Sequence, residues 1–251
     1  MIASGDTNGS APAVAFDRVS KAFGAKQVLR DVSFGVRAGE ALCILGRSGT
    51  GKSVTLKLIV SLIKPDQGEI WIEQDEITRL NESELSRVRR KMGFLFQDAA
   101  LFDSLTLYQN LALPLARLTN KSPKEVAYVV DKVLGEVGLA GDKRKMPSEL
   151  SGGMRKRAGL ARALVLEPKI LLADEPSSGL DRITASEIDE LLLRRKTEHK
   201  TALIVVTHDV RGARRLADRI VVLDKGNLLA EGTFAEIEHS ESEIARNLVT
   251  E

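Results

Sequence analysis

The stretch EALCILGRSGTGKS, residues 40–53, decides the fold of this chain. It begins as an apolar run typical of a buried strand, and a helical pattern follows it. Between the two lies a full match to the pattern G-x-x-x-x-G-K-[ST], formed by Gly46, Gly51, Lys52 and Ser53. Such a loop lets backbone N–H groups close around phosphate oxygens, so we predict a phosphate site here. A chance glycine-rich turn is the alternative, and the flanking strand and helix disfavour it.

This loop contains the residue types expected to bind a nucleoside triphosphate. We expect the Lys52 ammonium to reach the β- and γ-phosphates and the Ser53 hydroxyl to ligate Mg²⁺. The dipole of the following helix adds to the attraction for phosphate. The predicted nucleotide contacts in this region are Gly46, Arg47, Ser48, Gly49, Thr50, Gly51, Lys52, Ser53 and Val54.

Composition and charge narrow the class of protein. Of 251 residues, 43% are hydrophobic and 29% charged, which is ordinary for a globular chain. Lys and Arg total 37 against 35 Asp and Glu, so bulk charge favours neither a nucleic-acid binder nor a polybasic membrane clamp. The one cysteine, Cys43, allows no intrachain disulfide. We expect a cytoplasmic protein without a membrane span or signal core, with a mobile lead-in at residues 1–12.

Short apolar runs separated by helical patterns predict an α/β fold. Several runs are apolar at successive positions, which suits strands covered on both faces of a mostly parallel sheet. The predicted strands are 14–19, 40–46, 69–73, 92–97, 169–175, 201–208 and 219–224. The predicted helices are 52–62, 152–166, 183–196 and 210–217.

The region from residue 98 to residue 150 is helical in pattern and contains no strand candidate. Ser122 is a good N-cap, with Pro123 at the first helical position and Glu125 three residues on. We therefore predict an all-helical subdomain, at about residues 98–155, inserted into the α/β core.

The strand of KILLADEP, residues 169–176, ends in two adjacent carboxylates. Ligands of α/β folds bind at the carboxyl edge of the sheet, where these side chains are expected. We predict that Asp174 holds Mg²⁺ through water and that Glu175 polarises a water for attack on the γ-phosphorus. An Asp-Glu pair at a strand end is also common in turns, and the phosphate loop favours the functional interpretation.

Two further strand ends offer polar groups. Gln97 ends the predicted strand MGFLFQ, and His208 ends TALIVVTH. Alone, each would be a turn or structural residue. We predict that Gln97 and His208, together with Asp174 and Glu175, complete the environment of the γ-phosphate. Gln97 is also predicted to ligate Mg²⁺.

The helix opened by SELSGGMRKRAGLARAL, residues 148–164, begins unusually. A glycine pair precedes it, and three cations, Arg155, Lys156 and Arg157, crowd its first turn. Cations there oppose the helix dipole. We predict that a strong anion visits this helix end.

Six motifs follow one another along the chain: GRSGTGKS, Gln97, ELSGGM, LLADEP, SGLD and THD. In this order, over Val14 to Glu236, they resemble the motifs of ATP-binding-cassette (ABC) ATPases. The resemblance implies a P-loop NTPase (RecA-like) core, a short antiparallel β part near the N-terminus and the inserted helical subdomain. It implies an ATPase domain at residues 13–236 and a helical tail at 237–251, with ATP and Mg²⁺ as ligands.

The resemblance also assigns residues outside the phosphate loop. Phe23 matches an aromatic that stacks on adenine, although a packing role is the alternative. Ser151, Gly152 and Gly153 match the signature that contacts the γ-phosphate of ATP held by another subunit. That implies a head-to-tail dimer of two copies around two ATP, with Asp181 across the interface. The visiting anion would then come from the neighbour.

Two positions depart from the pattern of the family. Met154 stands where the signature usually has Gln, and it cannot form the same hydrogen bonds. Gln74 stands where a turn Gly is usual, which we expect to alter only a surface hairpin.

A finer resemblance concerns residues 94–115 together with 146–164, including Met154. Both look like the ATPase subunit of lipid-transporting ABC systems of the maintenance-of-lipid-asymmetry and mammalian-cell-entry type. This implies a multi-span permease, a lipid-binding envelope protein, a small STAS-like subunit, and work at the cytoplasmic face of the inner membrane. A small-solute importer, for example of amino acids, is the alternative.

Residues near Gln97 offer a surface for such a permease. We expect Leu101 and Phe102, on the loop after the strand, to receive a permease helix, and Phe94 and Phe96 to pack in the core.

The tail leaves two alternatives open, because Ile237, Ile244 and Leu248 recur at helical spacing. They would pack on the protein's own core or contact a partner.

Two other classes of ABC protein fit less well. Soluble ABC ATPases that act on DNA or ribosomes usually carry two cassettes, long coiled-coil insertions or zinc-binding cysteines, and this chain has one cassette and one cysteine. A catalytically dead cassette is disfavoured because Lys52, Asp174, Glu175 and His208 are all present.

Overall fold

The structure, a computed structural model, describes residues 11–47 and 49–250. Ser48, predicted to contact the nucleotide, lies outside the described residues, as does most of the lead-in predicted at residues 1–12.

A mostly parallel sheet forms the centre of the fold, as predicted. Its strand order is β10-β9-β3-β8-β7-β6, and only β10 runs antiparallel to its neighbour. Every residue of the three central strands is buried, which explains their unbroken apolar runs. The strands are β3 (Ala41–Leu45), β6 (Met92–Leu95), β7 (Ile170–Asp174), β8 (Ala202–Thr207), β9 (Arg219–Asp224) and β10 (Asn227–Gly232).

An antiparallel sheet covers one side, with the order β2-β1-β4-β5. Its strands are β1 (Val14–Phe23), β2 (Lys26–Val36), β4 (Gln67–Ile72) and β5 (Asp75–Glu76). The sequence analysis missed β2, although Val32, Phe34 and Val36 alternate with less buried positions, as expected of a strand with one covered face.

Nine α-helices surround the two sheets in the described residues. Those that pack on the central sheet include the helix after the phosphate loop and the helix that the glycine pair opens. They are α1 (Lys52–Ile59), α2 (Glu82–Arg89), α3 (Leu107–Leu118), α4 (Pro123–Glu136), α5 (Gly152–Leu164), α6 (Arg182–His199), α7 (Val210–Leu216), α8 (Phe234–Glu238) and α9 (Glu243–Thr250), with 3₁₀ turns at Ala140–Asp142 and Pro147–Glu149.

Helices α3 and α4 occupy the region predicted to be helical. Ser122 caps α4 as predicted: its backbone N–H donates to the Glu125 carboxylate at 2.7 Å, and its hydroxyl accepts from the Glu125 N–H at 3.4 Å. Leu111, Val130 and Val133 pack in the same apolar cluster as one face of the central sheet. The helical segment is thus joined to the core by a continuous apolar contact.

Some strands end earlier than the sequence analysis expected. β6 ends at Leu95, so Gln97 does not end a strand but lies in the turn that follows, where the Ala99 N–H donates to the Phe96 carbonyl at 2.9 Å. β8 ends at Thr207, one residue before His208. Gln97 and His208 therefore lie beyond the hydrogen-bonded strands, at the carboxyl edge of the sheet.

The tail packs in part on the protein's own core: of the residues singled out in the sequence, Ile237 is buried but Ile244 is 50% exposed, so the alternative of a partner contact stays open. Ile237, Ala245 and Val249 are buried in the apolar cluster. Arg214 of α7 donates to the Glu238 carboxylate and to the Val249 carbonyl, both at 2.9 Å.

We predict that Gly93→Ala destabilises the fold by about 1–3 kcal/mol, because the added Cβ would lie 2.3 Å from the Ala163 carbonyl oxygen of α5. Gly135→Ala is the matched control, since no atom lies within 4 Å of its added Cβ. In helix α4 this control is expected to gain about 0.5–1 kcal/mol. Urea unfolding of both variants checks the pair, and equal effects would contradict the close packing of β6 on α5.

Candidate functional site

Most of the predicted site residues meet in one cleft at the carboxyl edge of the central sheet. Parallel strands deliver their final residues to the same edge, and the phosphate loop follows β3 at that edge. The cleft has a volume of about 680 Å³. It is lined by Phe23, Lys26, Val28, Arg47, Gly49, Gly51, Lys52, Ser53, Val54, Gln97, Glu175 and His208.

The phosphate loop needs its glycines for close approach. A Cβ at Gly46 would lie 2.3 Å from the Leu223 carbonyl oxygen. Gly51 has a φ of +106°, and its Cβ would lie 2.8 Å from Val28 and Leu29 atoms. The glycines let the loop pass tightly between β2 and β9, which sets where its backbone N–H groups lie.

Lys52 is buried at the start of α1. Its ammonium donates to the Gly46 carbonyl at 2.7 Å and to the Arg47 carbonyl at 3.1 Å. Burial lowers the pKa of Lys52, and the nearby carboxylates of Glu175 and Asp174 oppose that shift. The ammonium therefore lies inside the loop, held by neutral acceptors that a phosphate would replace.

Ser53 and Asp174 form the best candidate for a cation site. The Ser53 hydroxyl donates to Asp174 Oδ1 at 3.1 Å, joining α1 to the end of β7. Burial raises the pKa of Asp174, its bond to Ser53 opposes this, and the neighbouring Glu175 carboxylate adds to the rise. A buried carboxylate beside a hydroxyl fits Mg²⁺, which uses few protein oxygens alongside phosphates. In the described residues, no cluster of three His, Cys, Asp or Glu side chains could hold a metal alone.

Glu175 lies directly beyond β7, and its carboxylate is held at both oxygens. His208 Nδ1 lies 2.8 Å from Oε1, and the Thr207 hydroxyl donates to Oε2 at 2.9 Å. The Glu175 side chain is 12% exposed and that of His208 is 69% exposed. The pair thus faces the cleft from its wall, with His208 toward solvent.

Phe23 lies at the mouth of the cleft and is 49% exposed, so it is not a core residue. The Lys21 ammonium lies 5.4 Å from the centre of its ring. An exposed aromatic face beside the phosphate loop is suited to stacking on a flat ring.

The structure does not place Ser151, Gly152, Gly153 or Asp181 among the residues that line this cleft. Ser151 caps α5, accepting from the Met154 N–H at 3.2 Å. Asp181 caps α6, accepting from the N–H groups of residues 183 and 184.

The two glycines that open α5 have different surroundings. A Cβ at Gly153 would lie 2.6 Å from the Thr184 methyl, so this glycine lets α5 approach α6. Around Gly152 no atom lies within 4 Å of an added Cβ, and the residue is exposed. The exposed Gly152 therefore leaves the N-terminus of α5 open to an approaching molecule.

The cations at the start of α5 have partners within the protein, which the sequence analysis did not foresee. Arg155 donates to the Leu150 carbonyl at 2.8 Å, and Arg157 lies 3.9 Å from the Glu187 carboxylate. Lys156 is buried and donates to the Glu175 carbonyl at 2.9 Å. Each cation therefore has a partner within the chain, so the three cations do not by themselves require an external anion.

Several residues that touch the site were not predicted from the sequence: Lys26 and Val28 line the cleft, and Thr207 and Lys156 contact Glu175. Thr207 ends a buried strand with a hydroxyl, a signal as good as the one that singled out His208. Lys156 was visible only as one of three adjacent cations, and its burial depends on tertiary contacts.

A family model described as ABC transporter matches residues 29–178, more than half of the chain. The chain is 41% identical to the probable ribonucleotide transport ATP-binding protein mkl of Mycobacterium leprae, covering 92% of this chain and 67% of that one. It spans 64–67% of the length of the mycobacterial proteins of this name that it matches. It is 37% identical both to protein TRIGALACTOSYLDIACYLGLYCEROL 3, chloroplastic, of Arabidopsis thaliana (92% and 72% covered) and to methionine import ATP-binding protein MetN of Caulobacter vibrioides (95% and 72%).

The fold is similar to a solved dimer of the ATP-binding cassette MJ0796 in a post-hydrolysis state bound to ADP and Pi. The TM-score is 0.82 at 35% identity, covering 88% of this chain and 98% of that one. Among the described residues, no helix combines the length and the apolar character needed to cross a bilayer.

We predict that Asp174→Asn raises the unfolding temperature of the nucleotide-free protein at neutral pH. The raised pKa of Asp174 means that its stabilising contribution is present in acid and lost as pH rises through the folded-state pKa. An amide of the same shape avoids burying that charge. The gain should therefore vanish in acid, where Asp174 is protonated.

Asp181→Asn is the control of opposite sign, because hydrogen bonds from Thr184 lower the pKa of Asp181. Its stabilising contribution is present at neutral pH and lost as pH falls, so removing the charge lowers the unfolding temperature at neutral pH. Differential scanning calorimetry across pH measures both variants. A loss of stability in Asp174→Asn at neutral pH would contradict the account of a strained buried carboxylate.

Proposed function

Because the chain belongs to the ABC transporter family and is an ATPase that uses ATP with Mg²⁺, we propose that it powers lipid transport across a bacterial envelope through a membrane permease. One observation carries the ATPase chemistry. The Ser53–Asp174 pair and the Glu175–His208 pair lie on the same sheet edge as the phosphate loop.

Binding of the triphosphate would draw on groups already in place. Lys52 would exchange its two backbone carbonyls for β- and γ-phosphate oxygens, which is favourable because a charged acceptor replaces neutral ones. Ser53, Asp174 and Gln97 would hold Mg²⁺, and the metal supplies charge neutralisation at the phosphates. Phe23 would stack on the adenine at the mouth of the cleft.

Glu175 is the proposed general base. A water between its carboxylate and the γ-phosphorus would lose a proton to Glu175 as it attacks. His208 and Thr207 each engage one carboxylate oxygen, which fixes the orientation of the side chain. In this role His208 also faces the cleft, where it can donate to the γ-phosphate.

The site as one chain builds it lacks the signature residues, and we propose that a second copy supplies them. Ser151 and Gly152 are exposed at the N-terminus of α5, an end suited to phosphate by its free N–H groups and its dipole. A head-to-tail dimer would bring them to the partner's nucleotide, with Asp181 at the same interface. The similarity to a dimeric cassette supports this arrangement.

Glu175→Gln should reduce the rate of ATP hydrolysis by about a hundredfold or more while preserving nucleotide binding, because the amide cannot accept the proton. The variant should accumulate as an ATP-bound dimer, measured by size-exclusion chromatography with light scattering. Glu190→Gln, an exposed carboxylate on α6, is the matched control and should hydrolyse ATP at the wild-type rate. A Glu175→Gln protein that stays monomeric with ATP would count against the dimer.

A permease-docking surface is proposed around Phe102, which is 52% exposed on the loop after Gln97. This loop is held rigidly by Asn110, which is fully buried. The Asn110 carboxamide accepts from the Phe102 N–H at 2.8 Å and donates to the carbonyls of Phe102, Leu105 and Thr106 at 3.0–3.1 Å. An exposed aromatic on a fixed loop loses little entropy on binding, which suits it to receive a helix.

Of the other aromatic residues in this segment, Phe94 has the packing role expected of it, whereas Phe96 lies beyond the end of β6 and is only half-buried. Phe94 and Phe96 stack on each other with ring centres 4.0 Å apart, and Phe94 packs against the core cluster. Leu101, which we expected to receive a permease helix, is instead partly buried against the apolar cluster, so on this loop it is Phe102 that is more than half exposed.

Phe102→Ala should weaken binding of the chain to its permease by about tenfold or more, since central aromatic anchors carry much of the energy of an interface. Tyr128→Ala is the control, because Tyr128 is 72% exposed and belongs to α4, not to the loop that carries Phe102. Co-purification from membranes under a salt series measures the difference. Equal retention by the two variants would place the docking surface elsewhere.

Lipid cargo is supported by two observations. Residues 94–115 and 146–164 resemble the ATPase subunits of lipid systems, Met154 included. The Arabidopsis relative carries the name of a galactolipid. On this proposal the partners are a permease, a lipid-binding envelope protein and a small STAS-like subunit, and the chain works at the cytoplasmic face of the inner membrane.

A small-solute importer is the second candidate, because the mkl and MetN relatives are named for ribonucleotide and methionine transport. Reconstituting the chain with its co-purifying permease in vesicles separates the two. Lipid transport requires ATP-dependent movement of a fluorescent phospholipid, absent with Glu175→Gln. ATP-dependent uptake of methionine or a nucleotide, without lipid movement, would support the second candidate instead.

A further inference from the structure

Lys156 is a buried cation beside the site to which the proposed mechanism gives no role. It lies in the second turn of α5, and the residue is 7% exposed. Its ammonium donates to the Glu175 carbonyl at 2.9 Å and approaches the Ser178 hydroxyl at 3.4 Å. The Ser178 hydroxyl donates to the same carbonyl at 3.0 Å. The Ser178 backbone N–H also donates to this carbonyl, at 3.2 Å, so three donors hold the main chain at the residue that carries the proposed base.

That main chain needs to be held. Glu175 has a φ of +47°, in the left-handed region that residues with a side chain rarely adopt. Such conformations persist where the surrounding structure enforces them, and they cluster at functional sites. This backbone turn directs the Glu175 carboxylate to His208 and Thr207.

The charge of Lys156 suits this position. Burial lowers its pKa, while Asp98, Glu175 and Asp174 favour the charged form. An ammonium with three donors can bind a carbonyl and a hydroxyl together, and a charged donor strengthens both contacts.

Ser151 is the N-cap of helix α5, so the signature turn and Lys156, five residues further on, belong to one rigid element. The same helix also reaches the loop after Gln97. Arg162 donates to the carbonyls of Ala99 and Ala100, and a Cβ at Gly159 would lie 2.8 Å from the Ala99 side chain. One helix thus contacts both the Glu175 turn and the segment next to Gln97.

We propose that Lys156 is a positioning residue for Glu175, through which the orientation of α5 sets the aim of the general base within the same chain. The inference rests on the proposed role of Glu175. When the N-terminal end of α5 binds a partner's nucleotide, the position of the helix fixes the Lys156 ammonium, and Lys156 in turn orients the main chain at Glu175. The rate of hydrolysis therefore depends on the position of α5.

Lys156→Met should lower kcat for ATP roughly tenfold, the loss expected for one charge-assisted hydrogen bond, and leave KM and nucleotide affinity within about twofold. Lys156→Arg keeps a cationic donor and should retain more turnover than Lys156→Met. Lys132→Met is the matched control: it removes an exposed α4 lysine that lies 3.6 Å from Glu167, and it should leave kcat unchanged. Steady-state hydrolysis by the full-length chain and titration with a fluorescent ATP analogue measure these effects.

A combination with Glu175→Gln separates positioning from general structural loss. If Lys156 acts through Glu175, adding Lys156→Met to Glu175→Gln should lower the single-turnover rate no further. A further tenfold loss in the double variant would overturn the proposal, as would a kcat within twofold of wild type in Lys156→Met. Full turnover in Glu175→Gln would instead overturn the proposed role of Glu175. Should Lys156→Met fail to fold, Ser178→Ala removes the hydroxyl donor and is expected to lower kcat by a smaller factor.

Discussion

The fold depends on one constraint: three fully buried parallel strands, β3, β8 and β7, must end at the same edge of the sheet. Their interiors hold only apolar side chains up to Asp174 and Thr207, so polar groups collect where the strands stop. The phosphate loop, the two carboxylates and the Thr207–His208 pair are brought together in this way. Bringing these groups together in a buried site costs electrostatic free energy, because burial disfavours the charged forms of both Asp174 and Lys52.

This electrostatic cost explains why the site is suited to a charged ligand. Lys52 donates to the carbonyls of its own loop, and Asp174 accepts a hydrogen bond from the Ser53 hydroxyl. A magnesium triphosphate offers anionic oxygens to one and a cation to the other. The free energy of binding therefore includes relief of strain already present in the protein.

The sequence predicted the central strands because both of their faces are covered, which leaves an unbroken apolar run. It missed β2, which has polar residues between its apolar ones, and β10, whose apolar residues are only half-buried. The phosphate loop and the strand-end carboxylates were also predictable, since their spacing along the chain reflects the chemistry directly. Lys156 was not, because its role depends on a contact between α5 and the turn after β7 that only the folded chain creates.

The cleft presents the phosphate loop and the proposed base Glu175 from one chain, while Ser151 and Gly152 lie exposed outside it. The account therefore requires two copies for each working site. Mixing Lys52→Ala protein with Ser151→Ala protein tests this directly, because a head-to-tail dimer of the two contains one site with neither substitution. The account predicts that ATP hydrolysis, lost in each variant alone, returns in the mixture. A mixture no more active than its separate components would contradict it.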